Sequence, residues 1–176
     1  MNVRSATLED AQGIAKVHVD TWRTTYEGII PSEFLAKLSY EQRTMLWQQN
    51  IAKQDNTVFI IENDKQQIIG FGDTCRRANN IDLKATDLTS LYLLQSYQGK
   101  GLGRLLLKAL FTRIKNEGYE KVFVEVLEDN PTRYFYEYFG AQFVKTVPIT
   151  IGGQRLNESI YVWPSVDEVL RKLNRE

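Results

Sequence analysis

The sequence has too few cysteines and histidines for a disulfide scaffold or a metal centre. Its 176 residues contain one cysteine, Cys75, and one histidine, His18. A lone cysteine cannot form an internal disulfide, which excludes a disulfide-rich secreted scaffold. One cysteine and one histidine also leave no Cys/His cluster of the kind that binds zinc. We therefore expect no metal, and we predict that His18 lies near a helix end without a partner that would make it a ligand or base.

Net charge and long apolar segments are missing as well. The 22 Lys and Arg residues equal the 22 Asp and Glu residues, so no overall field attracts nucleic acid or an anionic membrane. The start, Met1 to Ser5, has no apolar region of a signal peptide, and no segment approaches the roughly 20 apolar residues of a membrane span. The sequence thus predicts a cytoplasmic protein that binds neither nucleic acid nor a membrane, with one domain over residues 1–176.

What the sequence does contain is a clear series of helical and strand patterns. Capping residues followed by apolar positions at helical spacing predict two or three helices before residue 57. Runs of β-branched and aromatic residues then alternate with turns. Strands are predicted at 57–61, 67–71, 87–94, 121–126, 142–147 and 158–163, with a long helix before Gly118 and a short one before Gly140. This order predicts a mixed α/β domain built around one partly antiparallel sheet.

A glycine-rich turn lies between a predicted strand and a strongly amphipathic helix. Gly99, Gly101 and Gly103 place three glycines within five residues. Glycines permit positive φ and a close approach of the backbone to a ligand, and the N–H groups that open a helix favour an anion such as phosphate. A tight turn without a ligand is the alternative, although three glycines are conformationally costly for that purpose alone. We therefore interpret the turn as a phosphate-binding site.

Two familiar nucleotide motifs fit this turn poorly. A P-loop ends in Gly-Lys-Ser/Thr, which is absent here. A dinucleotide-binding loop would begin at Gly99 and Gly101, and Glu125 follows at about the distance of a ribose-binding acid. However, its third glycine should stand at the position of Arg104, after which 72 residues remain. A nicotinamide-dinucleotide enzyme therefore stays a distant alternative.

The same turn resembles the coenzyme-binding loop of the GNAT family of N-acetyltransferases. Gln98-Gly99-Lys100-Gly101-Leu102-Gly103 matches the family's Q/R-x-x-G-x-G/A pattern. The segment Asn130 to Ala141 resembles the family's later N…FYE..G block, and Thr21 to Pro31 is similar to an inter-helix loop of one branch. The resemblance covers nearly the whole chain. It implies a mixed, mostly antiparallel sheet of about six to seven strands flanked by about four helices.

The resemblance implies that acetyl-CoA is the co-substrate and that a core of about residues 86–140 binds it. Backbone N–H groups of the glycine turn would hold the pyrophosphate, and the strand before the turn would pair with the pantetheine arm. Lys100 and Arg104 would add positive charge, and Asn130 would contact the coenzyme, cap the following helix, or do both. The residues that the resemblance assigns to acetyl-CoA are Leu91, Tyr92, Leu93, Gln98, Gly99, Lys100, Gly101, Leu102, Gly103, Arg104 and Asn130.

The resemblance also implies how the acetyl group is transferred. An amine must lose a proton before it attacks a thioester, and the departing thiolate must gain one. Tyr136 occupies the family's position for the general acid, and a phenol with an ordinary pKa of about 10 suits a thiolate. Glu125 matches the catalytic base of the branch that acetylates protein N-termini, and partial burial would raise its pKa. Ordered water in place of a dedicated base, with Glu125 merely solvated, is the alternative.

The acceptor is expected to be a primary amine of a small molecule or a peptide N-terminus. Trp22, Tyr26 and Glu27 fall where the family builds its acceptor pocket, and an aromatic wall with one carboxylate suits a cationic amine. Core packing of Trp22 is the alternative. A non-catalytic acyl-CoA sensor on the same fold is the rival function. A homodimer is left open, with the C-terminal strands and the tail from Asp167 to Glu176 as its candidate surface.

Overall fold

Seven strands and six α-helices are present in residues 1–175, the part of the chain that the structure describes. This computed structural model has the strands Asn2–Ser5 (β1), Asn56–Glu62 (β2), Ile68–Cys75 (β3), Ala85–Leu93 (β4), Lys121–Leu127 (β5), Gln142–Ile151 (β6) and Gln154–Trp163 (β7). Its helices are Ala11–Thr25 (α1), Ser32–Ala36 (α2), Tyr40–Ala52 (α3), Leu102–Asn116 (α4), Thr132–Tyr138 (α5) and Val166–Arg175 (α6). Within these described residues, every helix is too short or too polar to span a lipid bilayer.

All seven strands belong to one sheet, in the order β1-β2-β3-β4-β5-β7-β6. Neighbouring strands are antiparallel except β4 and β5, which run parallel and are connected through α4. Parallel neighbours need such a crossover, whereas the antiparallel β2–β3 and β6–β7 pairs follow one another directly in the chain. The predicted mixed, mostly antiparallel sheet of six to seven strands is confirmed. The expected number of helices, about four, is too low.

Strand β1 was not predicted because its sequence shows no apolar alternation. Its four residues pair with β2, so that Val3 lies opposite Ile61. The guanidinium of Arg4 donates to the carboxylates of Asp10 and Glu62 at 2.7 and 2.6 Å. Long-range pairing and charge, rather than local propensity, therefore hold this edge strand in place.

Helix α6 was not predicted either, although the sequence carries a signal for it. Val166, Val169 and Leu173 recur at helical spacing, and all three are buried against α4 and the sheet. The backbone N–H of Glu168 donates to Ser165 Oγ at 3.3 Å, in the manner of a helix cap. The apolar face of this predicted dimer-forming tail thus packs into the core of its own chain, whereas its polar face is exposed. Glu176, the last residue of that segment, lies outside the described residues.

The sheet buries apolar side chains on both faces. On one face, α4 and α6 cover a cluster that includes Leu106, Leu107, Leu110, Phe111, Ile114, Val122, Val124 and Trp163. On the other face, α1 and α3 cover Ile14, Ala15, Trp47, Val58, Ile60 and Phe71. A sheet buried on both faces leaves little freedom for strand register, since a slip by one residue would exchange the two faces.

Strand β4 leaves its parallel neighbour halfway along its length. Pairing with β5 extends from Ala85 to Leu88. The register with β3 then skips Thr89, which forms a bulge, and resumes as far as Leu93. A bulge bends its strand and increases the local twist. In the described part of the chain, one edge of the last residues of β4 therefore faces a cleft instead of another strand.

His18 lies in the middle of α1, not near its end, and it has a partner. The indole N–H of Trp47 donates to His18 Nδ1 at 3.0 Å, and the ring of Tyr92 stacks on the imidazole at 5.7 Å. Burial lowers the pKa of His18 to about 3, with a smaller contribution from the charge of Arg43. The predicted position of His18 at a helix end is wrong, and the neutral imidazole is a core residue whose partner is a tryptophan N–H.

Candidate active site

Two adjoining cavities open where β4 separates from β5. The smaller one, here called the inner cavity, has a volume of about 210 Å³. Its lining includes Trp22, Tyr26, Arg77, Ser90, Glu125, Leu127, Asn130, Tyr136, Ile149, Ile151 and Glu158. The larger one, here called the outer groove, has a volume of about 570 Å³. Its lining includes Gly99, Gly101, Gly103, Arg104, Pro131, Phe135, Tyr138 and Phe139. Both are lined by Leu91, Tyr92, Leu93, Gln98 and Thr132.

The glycine turn opens α4 and forms one wall of the outer groove. Gly99 and Gly101 have φ angles of 71° and 76°, in the left-handed region that glycine adopts without strain. Gly101 directly precedes the helix, so the first N–H groups of α4 have no intrahelical acceptor. Gln98 Nε2 donates to the carbonyl of Leu93 at 2.9 Å and ties the turn to the end of β4. Backbone conformation therefore requires two of the three glycines, while Gly103 lies inside the helix.

The two cations of the turn have different surroundings. Arg104 lines the outer groove, and its Nε atom is buried without a hydrogen-bond partner among residues 1–175. Lys100 is exposed, and its ammonium donates to the carbonyl of Ser96 at 2.9 Å. Leu102 is buried in a core cluster with Ile69. Of these three predicted coenzyme-binding residues, Arg104 alone presents its side chain to the groove.

Tyr136 is buried on α5, and its side chain lines the inner cavity. The ring packs edge to face against Trp163, with 5.5 Å between the ring centroids. Burial raises the pKa of Tyr136 well above that of a free phenol, and the neighbouring Tyr26 adds to the shift. The neighbouring tyrosines differ, because Tyr134 is exposed and Tyr138 lies along the outer groove. Of the three tyrosines of α5, Tyr136 is thus the one whose phenol lies in the inner cavity.

Asn130 connects α5 to the end of α1. Its side-chain oxygen accepts a hydrogen bond from the backbone N–H of Thr132 at 2.9 Å, which caps the start of α5. Its side-chain amide donates to the hydroxyl of Tyr26 at 3.4 Å. Asn130 is buried and lines the inner cavity, so the capping role is observed and a ligand contact stays a prediction.

Two further tyrosines, Tyr26 and Tyr92, line the inner cavity. Burial raises the pKa of Tyr26, although hydrogen bonds with Tyr92 and Asn130 partly offset this. Burial also raises the pKa of Tyr92 well above its usual value. All three phenols of the cavity are therefore uncharged at neutral pH, and the charge there comes from acidic and guanidinium groups.

Glu125 projects from β5 into the inner cavity beside a buried ion pair. Arg77 Nη1 lies 3.4 Å from Glu125 Oε1 and 3.6 Å from Asp87 Oδ1. Asp87 is buried, and its carboxylate also accepts from the backbone N–H of Arg77 at 2.9 Å and from Asn80 Nδ2 at 3.0 Å. The arginine is thus anchored by Asp87 and held against Glu125.

A second carboxylate, Glu158, enters the same cavity from β7. In the antiparallel β5–β7 pair, Leu127 lies opposite Glu158 and Glu125 opposite Ile160, so the two glutamates share one face as diagonal neighbours. Partial burial raises the pKa of Glu158, and the charge of Glu125 raises it further. The positive charge of Arg77 lowers this pKa and offsets part of the shift. Sequence reasoning missed Glu158, because the β5–β7 register that pairs it with Glu125 is not encoded in any local motif.

The three predicted acceptor residues do not come together. Trp22 and Tyr26 line the inner cavity and pack edge to face with 4.8 Å between ring centroids. Glu27 is exposed and belongs to the lining of neither cavity. Glu27 lies in the turn that follows α1, where its side chain is exposed to solvent and leaves the wall that Tyr26 forms.

Comparison with known proteins identifies the domain. The sequence profile of the Acetyltransferase (GNAT) family matches residues 19–141, from the second half of α1 to just beyond α5. This chain belongs to the GNAT family. The resemblance seen in the motifs is confirmed, and the protein is a GNAT acyltransferase.

Relatives support this assignment over different lengths of the chain. The Bacillus subtilis protein named Uncharacterized N-acetyltransferase YuaI is 35% identical over 175 residues, which is 99% of each chain. The ribosomal protein bS18-alanine N-acetyltransferase of Haemophilus influenzae is 38% identical over 81 residues, or 46% of this chain and 51% of that protein. The crystal structure of the PaiA N-acetyltransferase from Thermoplasma acidophilum in complex with coenzyme A matches with a TM-score of 0.73 at 22% identity. That match covers 89% of this chain and 96% of the other, and it shows a shared GNAT fold.

Proposed function

We propose that this GNAT enzyme transfers an acetyl group from acetyl-CoA directly to a primary amine of a small molecule or peptide while both substrates are bound. The observation that carries the proposal is the shared wall of the outer groove and the inner cavity at Leu91, Tyr92 and Leu93. Direct transfer requires two reactants to meet in a fixed orientation, and adjoining sites meet this need without a covalent enzyme intermediate.

The outer groove fits an extended, anionic coenzyme. The buried Nε of Arg104 has no partner within the described chain, and an anionic oxygen there would remove the cost of leaving a buried donor unpaired. The free N–H groups that open α4 suit a pyrophosphate. The unpaired edge of β4 from Leu91 to Leu93 offers backbone groups to the amides of a pantetheine arm, as an added strand would.

Acetyl-CoA supplies the activated acetyl group when it is bound. We assign its binding to a core of about residues 86–140 within one domain of residues 1–176. Gln98 contributes by fastening the turn to β4, and Asn130 contributes by fixing the start of α5. Lys100 and Leu102 contribute through their backbones, because their side chains point elsewhere.

Tyr136 is the proposed general acid. Its phenol is protonated at neutral pH, so a proton is available for a thiolate that departs at the junction of the two cavities, but burial makes this phenol a weaker acid than the ordinary one expected from the sequence. On the acceptor side, Glu125 matches the family's base position, and the geometry adds Arg77 and Glu158 beside it.

The inner cavity fits a primary ammonium group next to an apolar wall. Two carboxylates share its lining with the ring of Tyr26 and the side chains of Ile149 and Ile151. The Haemophilus influenzae relative is named for the acetylation of an alanine of a ribosomal protein, which supports peptide N-termini as candidates beside small-molecule amines.

The test is a thiol-release assay with acetyl-CoA against a polyamine, an aminoglycoside, an amino acid and a peptide with a free N-terminus, beside a binding titration with coenzyme A. We expect saturable coenzyme binding and release stimulated by one class of amine. Tight coenzyme binding without release from any amine would favour the non-catalytic acyl-CoA sensor. Lack of coenzyme binding would overturn both functions.

A further inference from the structure

The inner cavity contains more negative than positive charge. Glu125 and Glu158 line it from β5 and β7, and Arg77 is the one cationic side chain in its described lining. Arg77 Nη1 is buried and makes no hydrogen bond within residues 1–175, although Glu125 and Asp87 lie 3.4 and 3.6 Å away. Three carboxylates around one guanidinium leave the region in need of a further cation.

We propose that Glu158 is the carboxylate that binds the acceptor ammonium and takes its proton, while Arg77 pairs with Glu125 and holds it in a fixed position beside Glu158. This inference rests on the proposed acetyltransferase function and assigns the two glutamates different tasks. Glu125 matches a base position in the family pattern, whereas Glu158 is identified only by the tertiary register of β5 and β7.

The two glutamates differ in their ion pairs. Glu125 is paired with an arginine that Asp87 anchors through both its backbone N–H and its guanidinium. Within the described residues, Glu158 has no cation at ion-pair distance. An arriving ammonium therefore gains more from Glu158, which has no ion-pair partner and is only partly compensated by Arg77 at longer range, than from Glu125, which is already paired.

The surroundings of Glu158 also favour proton acceptance near neutral pH. The charged neighbours of Glu158 are Glu125 on β5 and Arg77 in the segment before β4. Tyr26, at the end of α1, is an uncharged titratable neighbour, and β6 places the apolar Val147 opposite Glu158. Burial and the charge of Glu125 raise the pKa of Glu158, and a carboxylate with a raised pKa is a stronger base.

The proposed step balances in atoms and charge. The ammonium nitrogen first gives one proton to Glu158. The nitrogen–carbon bond then forms, the carbon–sulfur bond breaks, and the sulfur takes the phenolic proton of Tyr136. The second proton that the nitrogen loses restores Tyr136, and Glu158 releases its proton to solvent. The net products are an amide, a free thiol and one proton.

The test compares Glu158→Gln, Glu125→Gln and the control Glu128→Gln, using the amine that gives the greatest thiol release with the native enzyme. We expect Glu158→Gln to lower kcat/KM at neutral pH by about 100-fold. It should also remove the acidic limb of the pH profile, which is the fall in kcat/KM as the pH decreases. Glu158→Asp should restore that acidic limb. Glu125→Gln should keep activity within about tenfold and shift the limb to lower pH, because a like charge beside Glu158 is gone.

Glu128 is exposed just beyond β5 and lies outside the inner cavity, so its variant removes the same charge without touching the site. Unchanged melting temperature and coenzyme A affinity in Glu158→Gln would exclude misfolding as the cause of lost activity. A native acidic limb in Glu158→Gln, together with its loss in Glu125→Gln, would overturn the assignment and make Glu125 the base. Absence of thiol release by the native enzyme with every amine would overturn the proposed function itself.

Discussion

Burial acts on the titratable side chains of this protein in opposite directions, according to which form of each group is charged. Tyr136 and Glu158 are charged when they lose a proton, so burial raises their pKa values. His18 is charged when it gains a proton, so burial lowers its pKa. At neutral pH His18 is therefore neutral and Tyr136 is protonated, and two predictions follow for these two residues.

The first prediction concerns the phenolic proton of Tyr136. Tyr136→Phe keeps the buried ring and its contact with Trp163 but removes the proton donor. We expect kcat to fall by about 100-fold or more, because a positioned general acid contributes that much. The affinity for coenzyme A should stay the same, and steady-state kinetics beside a binding titration would measure both.

Tyr134→Phe is the matched control for that experiment. It removes the same hydroxyl two residues earlier on α5, from a side chain that is 58% exposed. Equal activity of Tyr136→Phe and the native enzyme would show that Tyr136 only packs in the core, even though the family assignment would stand.

The second prediction concerns stability and pH. His18 has a folded pKa of about 3 against 6.5 for the free side chain, so between these values the unfolded chain binds a proton that the folded chain does not. The free energy of unfolding should therefore fall by about 2 kcal/mol between pH 7 and pH 5 on account of His18. In His18→Gln, whose amide oxygen can still accept from Trp47, this part of the fall should vanish. Urea unfolding at both pH values would measure it, and an identical pH dependence in the two proteins would contradict the prediction.

At the scale of elements, the site depends on how β4 ends and how α4 begins. The bulge at Thr89 frees an edge of β4, and the glycine turn then reverses the chain into α4 beside that edge. Gly101 occupies a left-handed conformation, whereas Gly103 has ordinary helical surroundings in which an added Cβ would meet Leu93 and Phe135 at 3.5 Å.

Substitution of these two glycines by alanine should therefore affect stability differently. Gly101→Ala should lower the free energy of unfolding by about 1 kcal/mol, because a Cβ is unfavourable in the left-handed region. It should also weaken coenzyme A binding, since the N–H groups of the turn would shift. Gly103→Ala should leave the free energy of unfolding unchanged or raise it by up to about 1 kcal/mol, through helix propensity. Chemical denaturation of both variants would test this. Equal losses of unfolding free energy in the two variants would show that the positive φ of Gly101 is not the cause.

At the scale of the whole molecule, α6 closes the core on the side of the sheet away from the inner cavity. Leu173 is fully buried in the cluster that α4 and the sheet form. Leu173→Ala should lower the free energy of unfolding by about 3 kcal/mol through lost burial and a residual cavity. The exposed neighbour Asn174→Ala should change it by less than about 0.5 kcal/mol. Thermal and urea unfolding would measure both, and an unaffected Leu173→Ala would mean that the helix contributes little to folding.

The assembly and the cellular location of the enzyme stay predictions. The C-terminal tail has its apolar side chains, Val166, Val169 and Leu173, buried within its own chain, so a homodimer through the tail would use its exposed polar face, and the C-terminal strands stay the other candidate surface. Sedimentation analysis of the purified protein would give its oligomeric state.

The fold could be predicted from the sequence wherever the signal was local. Apolar spacing and caps gave α1, α3 and α4, and runs of β-branched residues gave β2, β3 and β5, each within a few residues of its observed bounds. Strand β1 could not be found in this way, because Arg4 is held by Asp10 and Glu62 rather than by apolar alternation. Helix α6 could have been found from its apolar spacing.

The sequence by itself determined the family and the glycine turn and predicted the residue types of the outer groove, because these depend on local backbone conformation and contiguous motifs. Only the tertiary structure decided which side chains share the inner cavity. It excluded Glu27, which lies in the exposed turn after α1, and it added Arg77 and Glu158, which are 48 and 33 residues from Glu125 along the chain. The charges of an acceptor site come from separate strands and loops, and strand register, which is fixed by burial on both faces of the sheet, brings them together.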